Sequence, residues 1–325
     1  MREAGGGLKA AAVAVWLLAT ACAPGGARVI LPSPATTTLR PATIRVQVRE
    51  RTALVVREVS LEHYVATAAL SEVHPDSQDP ALAQRMFDVQ TVIARTYAIA
   101  NRRRHGNDGF DLCSTTHCQL YEPARLTTSR WAAAAAAAAR RTAGDLLCFA
   151  GMPANAVFHA DCGGHTSNAA AVWGGVAPAY LAGAADRGAA GRAHADWTFG
   201  TRMSALRTAL NGDPRTTVGA RLDRIEIAGR DSAGRAEMIL LRGSRTFVVR
   251  GEVFREVVTR ALGARTLRST LFSIKASRDV VMFSGKGFGH GVGLCQAGAL
   301  ARLKAGDSPT DVLAHYFPGA TVEKQ

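Results

Sequence analysis

The chain has 325 residues, 47% of them hydrophobic and only 6% aromatic, so aliphatic and alanine side chains must fill most of a globular core. The formal net charge of +13, carried mostly by arginine, favours an anionic partner: nucleic acid, an anionic membrane or an acidic wall polymer. That charge is scattered, with its tightest run at Arg102–His105 and no basic stripe interleaved with aromatics, which argues against nucleic acid.

In chain order, Arg2 and Lys9 precede the apolar stretch Ala10–Ala21, which is too short for a membrane span and reads as a signal sequence over 1–22. The small residues before Cys22 resemble a bacterial lipobox. Lipidation at Cys22 and plain cleavage near Ala21 are both open, and the chain is expected to be exported to the cell envelope. It would be lipid-anchored there, its sole tie to a membrane, or secreted or periplasmic. The Pro/Gly/Thr-rich stretch 23–42 reads as a linker. Residues 43–320 follow as one domain.

"TIRVQVRERTALVVREVS" alternates apolar and polar residues and reads as paired strands. "LEHYVATAALSEV" reads as a helix with Ser60 as N-cap, broken by Pro75, Asp76 and Pro80. "ALAQRMFDVQTVIARTYAIANRRR" is a strong helix whose apolar side runs through Phe87, Val89, Val92 and Ile93. A polar loop, 101–125, carries "CSTTHC". "SRWAAAAAAAARRTAG" predicts a helix capped by Ser129 and closed by Gly144. "GMPANAVFHADCGGHTSNAAAVWGG" reads as strand, then loop. From 222 to 283 the pattern is β-structure interrupted by a helix at Glu252–Leu262. The end is helical, with Gly306 as a stop and Ser308-Pro309 as a start. Without a βαβ rhythm the class is α+β, mixed helices and antiparallel β-structure.

Four groups of residues can carry chemistry. Glu72 ends its helix among Val65, Ala69, Leu70 and Val73. Apolar surroundings raise a carboxyl's pKa and suit it to general acid work, while a solvated helix glutamate is the plain alternative. Arg95 lies on an otherwise apolar helix, where it either seeks a carboxylate or substrate or lies along the edge of the buried face. Cys113, His117 and Cys118, with His105 upstream, offer thiolate and imidazole ligands suited to zinc; a Cys113–Cys118 disulfide fits an exported protein equally well. Last, "FHADCGGHTS" (His159, Asp161, Cys162, His165, Thr166) and "FSGKGFGHGVGLCQAGA" (Gly289, His290, Gly291, Cys295, Gln296) are Gly-bearing loops rich in hydrogen-bonding groups. They can line a groove for a polar substrate, or be tied by a Cys162–Cys295 disulfide. The alternate glycines from Gly285 to Gly293 match neither a P-loop nor a dinucleotide fingerprint in spacing. They permit close approach to the backbone, whether by a ligand or by a neighbouring strand.

These stretches, in this order, resemble the SpoIID/LytB family of bacterial cell-wall proteins. "SLEHYVATAALSEV" is similar to the family's helix ending in a catalytic Glu, and "VQTVIARTYAIA" is close to its "AQAVAARTYA". "FDLCSTTHCQLY", "FHADCGGHTSNAAAVWGG", "YLAG" and "GKGFGHGVGLCQAGALARLKAGDSPTDVLAHYFPG" complete a match over roughly 43–320. The resemblance implies a SpoIID-like fold around a substrate groove and a lytic transglycosylase acting on peptidoglycan glycan strands stripped of their peptides. Such an enzyme needs one carboxylate, because the sugar's own C6 hydroxyl closes on the oxocarbenium-like centre. The resemblance gives that role to Glu72, with Arg95 orienting it or the substrate. It associates zinc with Cys113, His117 and Cys118; apart from the resemblance, His105 is the candidate fourth ligand and the zinc is expected to be structural. It puts a glycan against the bare 285–293 backbone with His290 near the acid, and His159, His165, Thr166, Gly289, Gly291 and Gln296 along the groove. The sequence departs from the family at Ser71-Glu72-Val73-His74-Pro75, where Gly-Glu-Met-Pro is usual, and at Cys162 and Cys295, where Ser is common. The family also includes amidase enhancers, so a non-catalytic glycan-binding activator of a cell-wall amidase competes with the enzyme. A zinc hydrolase is the third alternative.

Overall fold

Alternation in the first strand sets the scaffold. Ile44, Val46 and Val48 of β1 (Thr43–Glu50) point into the core and the intervening residues outward, as a half-buried strand requires. β1 pairs antiparallel with β2 (Ala53–Ser60), as the pattern predicts. The computed structural model describes residues 43–75, 79–186, 196–277 and 279–325, so the expected signal sequence, Cys22 and the 23–42 linker lie outside the described residues. Among the described residues no helix is long and apolar enough to cross a membrane.

Ser60 then caps α1 (Leu61–Glu72), its hydroxyl accepting from the His63 amide. α2 (Pro80–Ala100) starts with Asp79 as N-cap and Pro80 in its first turn, so that proline opens a helix instead of only breaking one. A short strand β3 (Leu112–Cys113) pairs parallel with β1, Val46 facing Leu112 and Gln47 facing Cys113. One turn of helix, α3 (Arg125–Thr128), precedes α4 (Ala132–Arg141). That extra turn moves the start of α4: Trp131 is its N-cap, and the Ser129 hydroxyl accepts from the Trp131 amide at 3.2 Å without capping the helix. β4 (Asp145–Phe149), β5 (Met152–Pro153) and β6 (Phe158–His159) follow, then α5 (Ala169–Trp173).

The next stretch is mostly β. It runs β7 (Asp196–Arg202), α6 (Met203–Asn211), β8 (Leu222–Arg230), β9 (Ala236–Gly243), β10 (Thr246–Arg250), α7 (Gly251–Leu262), β11 (Phe272–Ser277) and β12 (Val280–Lys286). It forms two antiparallel sheets, β10-β9-β8 and β11-β12-β7, around a core of their own that includes Trp197, Leu206, Ile239, Phe254 and Phe283. The chain closes with β13 (Leu294–Cys295), α8 (Gln296–Ala305), α9 (Pro309–Tyr316) and β14 (Thr321–Lys324). β13 pairs parallel with β6, and β14 adds antiparallel to β4. Gly306 ends α8 in the left-handed region at φ 108°, and Ser308 with Asp311 makes a capping box for α9. The class is α+β, as the pattern implied. β7 and α6 were not legible from the alternation of their residues.

Arg95 corrects one expectation. Its side chain is fully buried, and its Nη2 meets Glu62 Oε2 at 2.6 Å and Ala139 O at 3.1 Å. Nη1 reaches Thr142 Oγ1 and Asp145 O, both at 3.3 Å. All these acceptors belong to α1, to α4 and its C-cap, and to β4, and none is Glu72. The guanidinium is a structural tie, because a buried cation must find a carboxylate and several oxygens to replace water. Arg95→Met leaves those oxygens unpaired and should lower unfolding free energy by about 3 kcal/mol in urea titration. A change below about 0.5 kcal/mol would show that the network contributes nothing net.

Candidate functional site

Glu72 occupies the last turn of α1, where a helix disfavours an anion. It is partly buried, and burial pushes its carboxyl up to about 7; the Leu120 amide opposes this and the charge of Glu122 adds to it. Oε1 accepts from Leu120 N at 2.7 Å. His74, the residue added beside the acid, does not act on it in this way. Its ring meets Arg125 and the Glu72 backbone, and burial pushes its own pKa down.

The loop that supplies the Leu120 amide is held along its length. β3 anchors it to β1, and Tyr64 donates to Gln119 Oε1 at 2.8 Å in the interior. Tyr64 and Tyr121 stack at 5.4 Å. The Glu122 amide donates to Ser71 Oγ at 2.9 Å, and Arg125 reaches Ser71 O at 3.2 Å. From the other side α8 presents Gln296, whose Nε2 donates to the Glu72 carbonyl at 3.4 Å and to Gln90 Oε1 at 3.3 Å. Sequence reasoning found Glu72 and Gln296. The Leu120 amide was not legible because a backbone N–H has no sequence signature, and Glu122 and Gln90 were not because their side chains come from distant segments.

The same loop carries His105, Cys113, His117 and Cys118, whose ligand atoms all lie within 4.8 Å of one another. Cys118 Sγ is 3.4 Å from His105 Nε2, and His117 Nδ1 is 3.7 Å from each sulfur. The edges of a tetrahedron with zinc-like arms are about 3.3–3.8 Å, so these residues can hold a metal ion. Asp108 Oδ2 stands 3.4 Å from His105 Nδ1, the outer carboxylate that commonly orients a ligating imidazole. Both cysteines are free, so the alternative Cys113–Cys118 disulfide is not formed. The hydrogen bond from Cys118 pushes the Cys113 thiol down to about 3 and pushes Cys118 up.

The other residues expected along a groove with Gln296 lie in and after β6 and ahead of β13. His159 and Thr166 are buried, Thr166 tied to Ala184 in both directions. His165 Nδ1 lies 2.6 Å from Thr166 O. His290 is half-buried, its ring 5.4 Å from His159 and 5.1 Å from Trp173, and burial pushes its pKa down to about 4. None of the contacts of His290 among the described residues is to Glu72. The glycine run is no bare strand face: only Gly285 lies in β12, and Gly287, Gly289, Gly291 and Gly293 all have positive φ. The protein itself takes up the close approach. A Cβ at Gly289 would stand 2.7 Å from His159 Cβ, and one at Gly291 2.4 Å from Arg235 Nε, so on the Cβ side these glycines pack against the protein's own side chains. An open concavity of about 480 Å³ is lined by Asp196, Trp197, Thr198, Ser284, Gly285 and Lys286, and Glu72 is not part of it.

Together these features define an α+β protein with a carboxyl, Glu72, poised near neutrality beside a cysteine–histidine loop. A family model described as "Stage II sporulation protein" matches residues 49–149, from β1 through β4, and a domain of unknown function matches 180–293. An uncharacterized protein of Brachyspira hyodysenteriae is 28% identical over 277 residues, 83% of this chain and 68% of that one. Stage II sporulation protein D of Bacillus amyloliquefaciens is 26% identical, covering 88% of this chain and 81% of its own length. The amidase enhancer of Bacillus subtilis is 25% identical over 78% of this chain, which spans 40% of that longer protein. These similarities support the resemblance of the chain to the SpoIID/LytB family.

The raised carboxyl has a stability consequence. Unfolded, Glu72 titrates near 4.3; folded, at about 7. The fold keeps the proton to higher pH, so this group's contribution is full below about pH 4 and is lost as pH rises towards 7. Glu72→Gln removes the loss and keeps an oxygen for the Leu120 amide. In urea unfolding the variant should gain about 2 kcal/mol on wild type between about pH 5 and pH 8, a figure discounted for partial exposure. Parallel pH dependence of the two proteins would mean an ordinary carboxyl.

Proposed function

We propose that the protein is a lytic transglycosylase that cleaves peptidoglycan glycan strands, preferably stripped of peptides, to anhydro-muramic ends, with Glu72 as its single acid and base. The observation that carries this reading is the Glu72 carboxyl at about 7, one oxygen held by the Leu120 amide. At neutral pH such a group is protonated often enough to give a proton to the glycosidic oxygen and basic enough to take one back. Oε2 carries the proton while Oε1 stays on Leu120. The same group then receives the proton of the sugar's C6 hydroxyl as that oxygen closes on the anomeric centre. Because the nucleophile belongs to the substrate, no second carboxylate is required, unlike the pairs of hydrolytic glycosidases. Gln296 supports the site from behind by fastening the Glu72 carbonyl. The net positive charge suits an acidic wall polymer. The expected export, the Cys22 anchor and the 43–320 domain belong to this reading.

Zinc is the metal that best suits two thiolates and two imidazoles at these spacings, and His105, Cys113, His117 and Cys118 would hold it. Four protein ligands would leave no open position, so the metal's role would be structural, which favours the transglycosylase over a zinc hydrolase. When bound, the metal supplies a cross-link in the loop that ends at Leu120. Treatment with a strong chelator should therefore lower the melting temperature and cleavage together. Lost cleavage with an unchanged melting curve would point to a catalytic metal instead.

The relative named amidase enhancer supports a second reading, a glycan-binding activator of a cell-wall amidase. Incubation with peptide-free glycan strands and mass spectrometry separates the two. Wild type should release anhydro-muramic ends and Glu72→Gln should be slower by roughly 10²–10⁴-fold. Hydrated reducing ends would indicate hydrolysis. No cleavage by folded protein, with stimulation of an amidase unaffected by Glu72→Gln, would establish the activator.

A further inference from the structure

A second group of metal-type ligands lies in the interior, apart from the loop at His105–Cys118. His159, Cys162 and Cys295 are 4%, 0% and 0% exposed, and their ligand atoms lie within 4.8 Å of one another. Both cysteines are free. His159 Nδ1 is 3.1 Å from the Val292 carbonyl, which fixes the tautomer: Nδ1 carries the hydrogen and Nε2 the lone pair. Nε2 is buried and has no hydrogen-bond partner among the described residues. A buried imidazole nitrogen with an unused lone pair is costly, and donation of the other ring N–H to a carbonyl is the usual arrangement of a metal-bound histidine.

We propose that His159 Nε2, Cys162 Sγ and Cys295 Sγ form a buried site for a thiophilic closed-shell cation, zinc(II) or copper(I). The sulfurs are prepared as acceptors. Cys295 Sγ takes the amides of Cys162 at 3.2 Å and Gly298 at 3.3 Å, and Cys162 Sγ takes the Gly164 amide at 3.3 Å. Such N–H···S bonds favour thiolates, and soft thiolate ligands select copper(I) and zinc. Each thiol gives up its proton as it ligates. Asp186 Oδ2, 3.4 Å from Cys162 Sγ and held by the Tyr316 hydroxyl at 2.6 Å, is an acceptor at hand for the Cys162 proton, and the protons displaced by the ion pass finally to bulk water. Arg235 supplies positive charge: it is 1% exposed and donates from Nη2 to the Cys162 carbonyl at 2.7 Å. Its Nε and Nη1 have no partner among the described residues. Two thiolates with zinc(II) are neutral, and with copper(I) they carry one negative charge that this guanidinium would balance.

The ion would join β6, the 160–165 loop and the start of α8, one residue before the Gln296 that fastens Glu72. The test is metal counting on the full chain. Protein reduced under argon is titrated with zinc(II) alone and, separately, with copper(I) against a copper(I)-specific chelator, and bound metal is measured by mass spectrometry. Cys162→Ser/Cys295→Ser is the comparison; the serine hydroxyl can still accept the Gly298 amide at the N-cap of α8, so the fold should persist, checked by circular dichroism. Wild type should hold one more ion per chain than the double variant, and His159→Gln should lose the same ion. The cation whose count falls identifies the metal. Equal counts in wild type and folded variants overturn the proposal. So does a Cys162–Cys295 disulfide in protein isolated without reductant, seen as a mass two hydrogens lower.

Discussion

Arg95 is the constraint around which the helical half is arranged. A fully buried guanidinium in the middle of α2 has to be satisfied from all sides, and Glu62, Ala139, Thr142 and Asp145 supply the oxygens. Meeting that demand brings α1, α4 and β4 to one point. Alanines on α4 make the approach possible: Ala135, Ala138 and Ala139 are buried and leave room for a long side chain to reach a main-chain carbonyl. With α1 placed by this tie, its last residue, Glu72, is placed as well.

The acid's chemistry is then set by a contest between burial and a single amide. Burial and the helix end raise the carboxyl, and Leu120 N–H lowers it. The position of that amide is decided by a loop with its own fastenings, namely the β1–β3 pairing, the Tyr64–Gln119 bond and the cysteine–histidine cluster. The cluster therefore matters to the acid without touching it. Anything that loosens the loop moves the donor and lets the pKa drift.

The glycine run and the histidines near it form the opposite kind of structure. They resemble a bare, open binding surface in the sequence. In the fold they are a packing seam, where Arg235, His159 and the Asp161 and Val157 carbonyls come closer than any Cβ would allow. β6 and β13 pair beside the seam, and His159, Cys162 and Cys295 are buried there.

The amino-acid sequence by itself determined the local elements. Alternation showed β1 and β2, helical periodicity showed α1 and α2, and Ser60, Ser308 and Gly306 marked ends, because each depends on neighbours a few residues away. It also singled out Glu72 and the Cys113–Cys118 loop, whose residue types carry their chemistry wherever they sit. Only the tertiary structure decided the partners. Arg95 went to Glu62 and not to Glu72, the glycines went to packing, and Leu120 supplied the hydrogen bond that the acid needs. Those outcomes depend on which groups from distant segments are excluded from water together, and burial of that kind is a property of the assembled fold and not of any stretch of sequence.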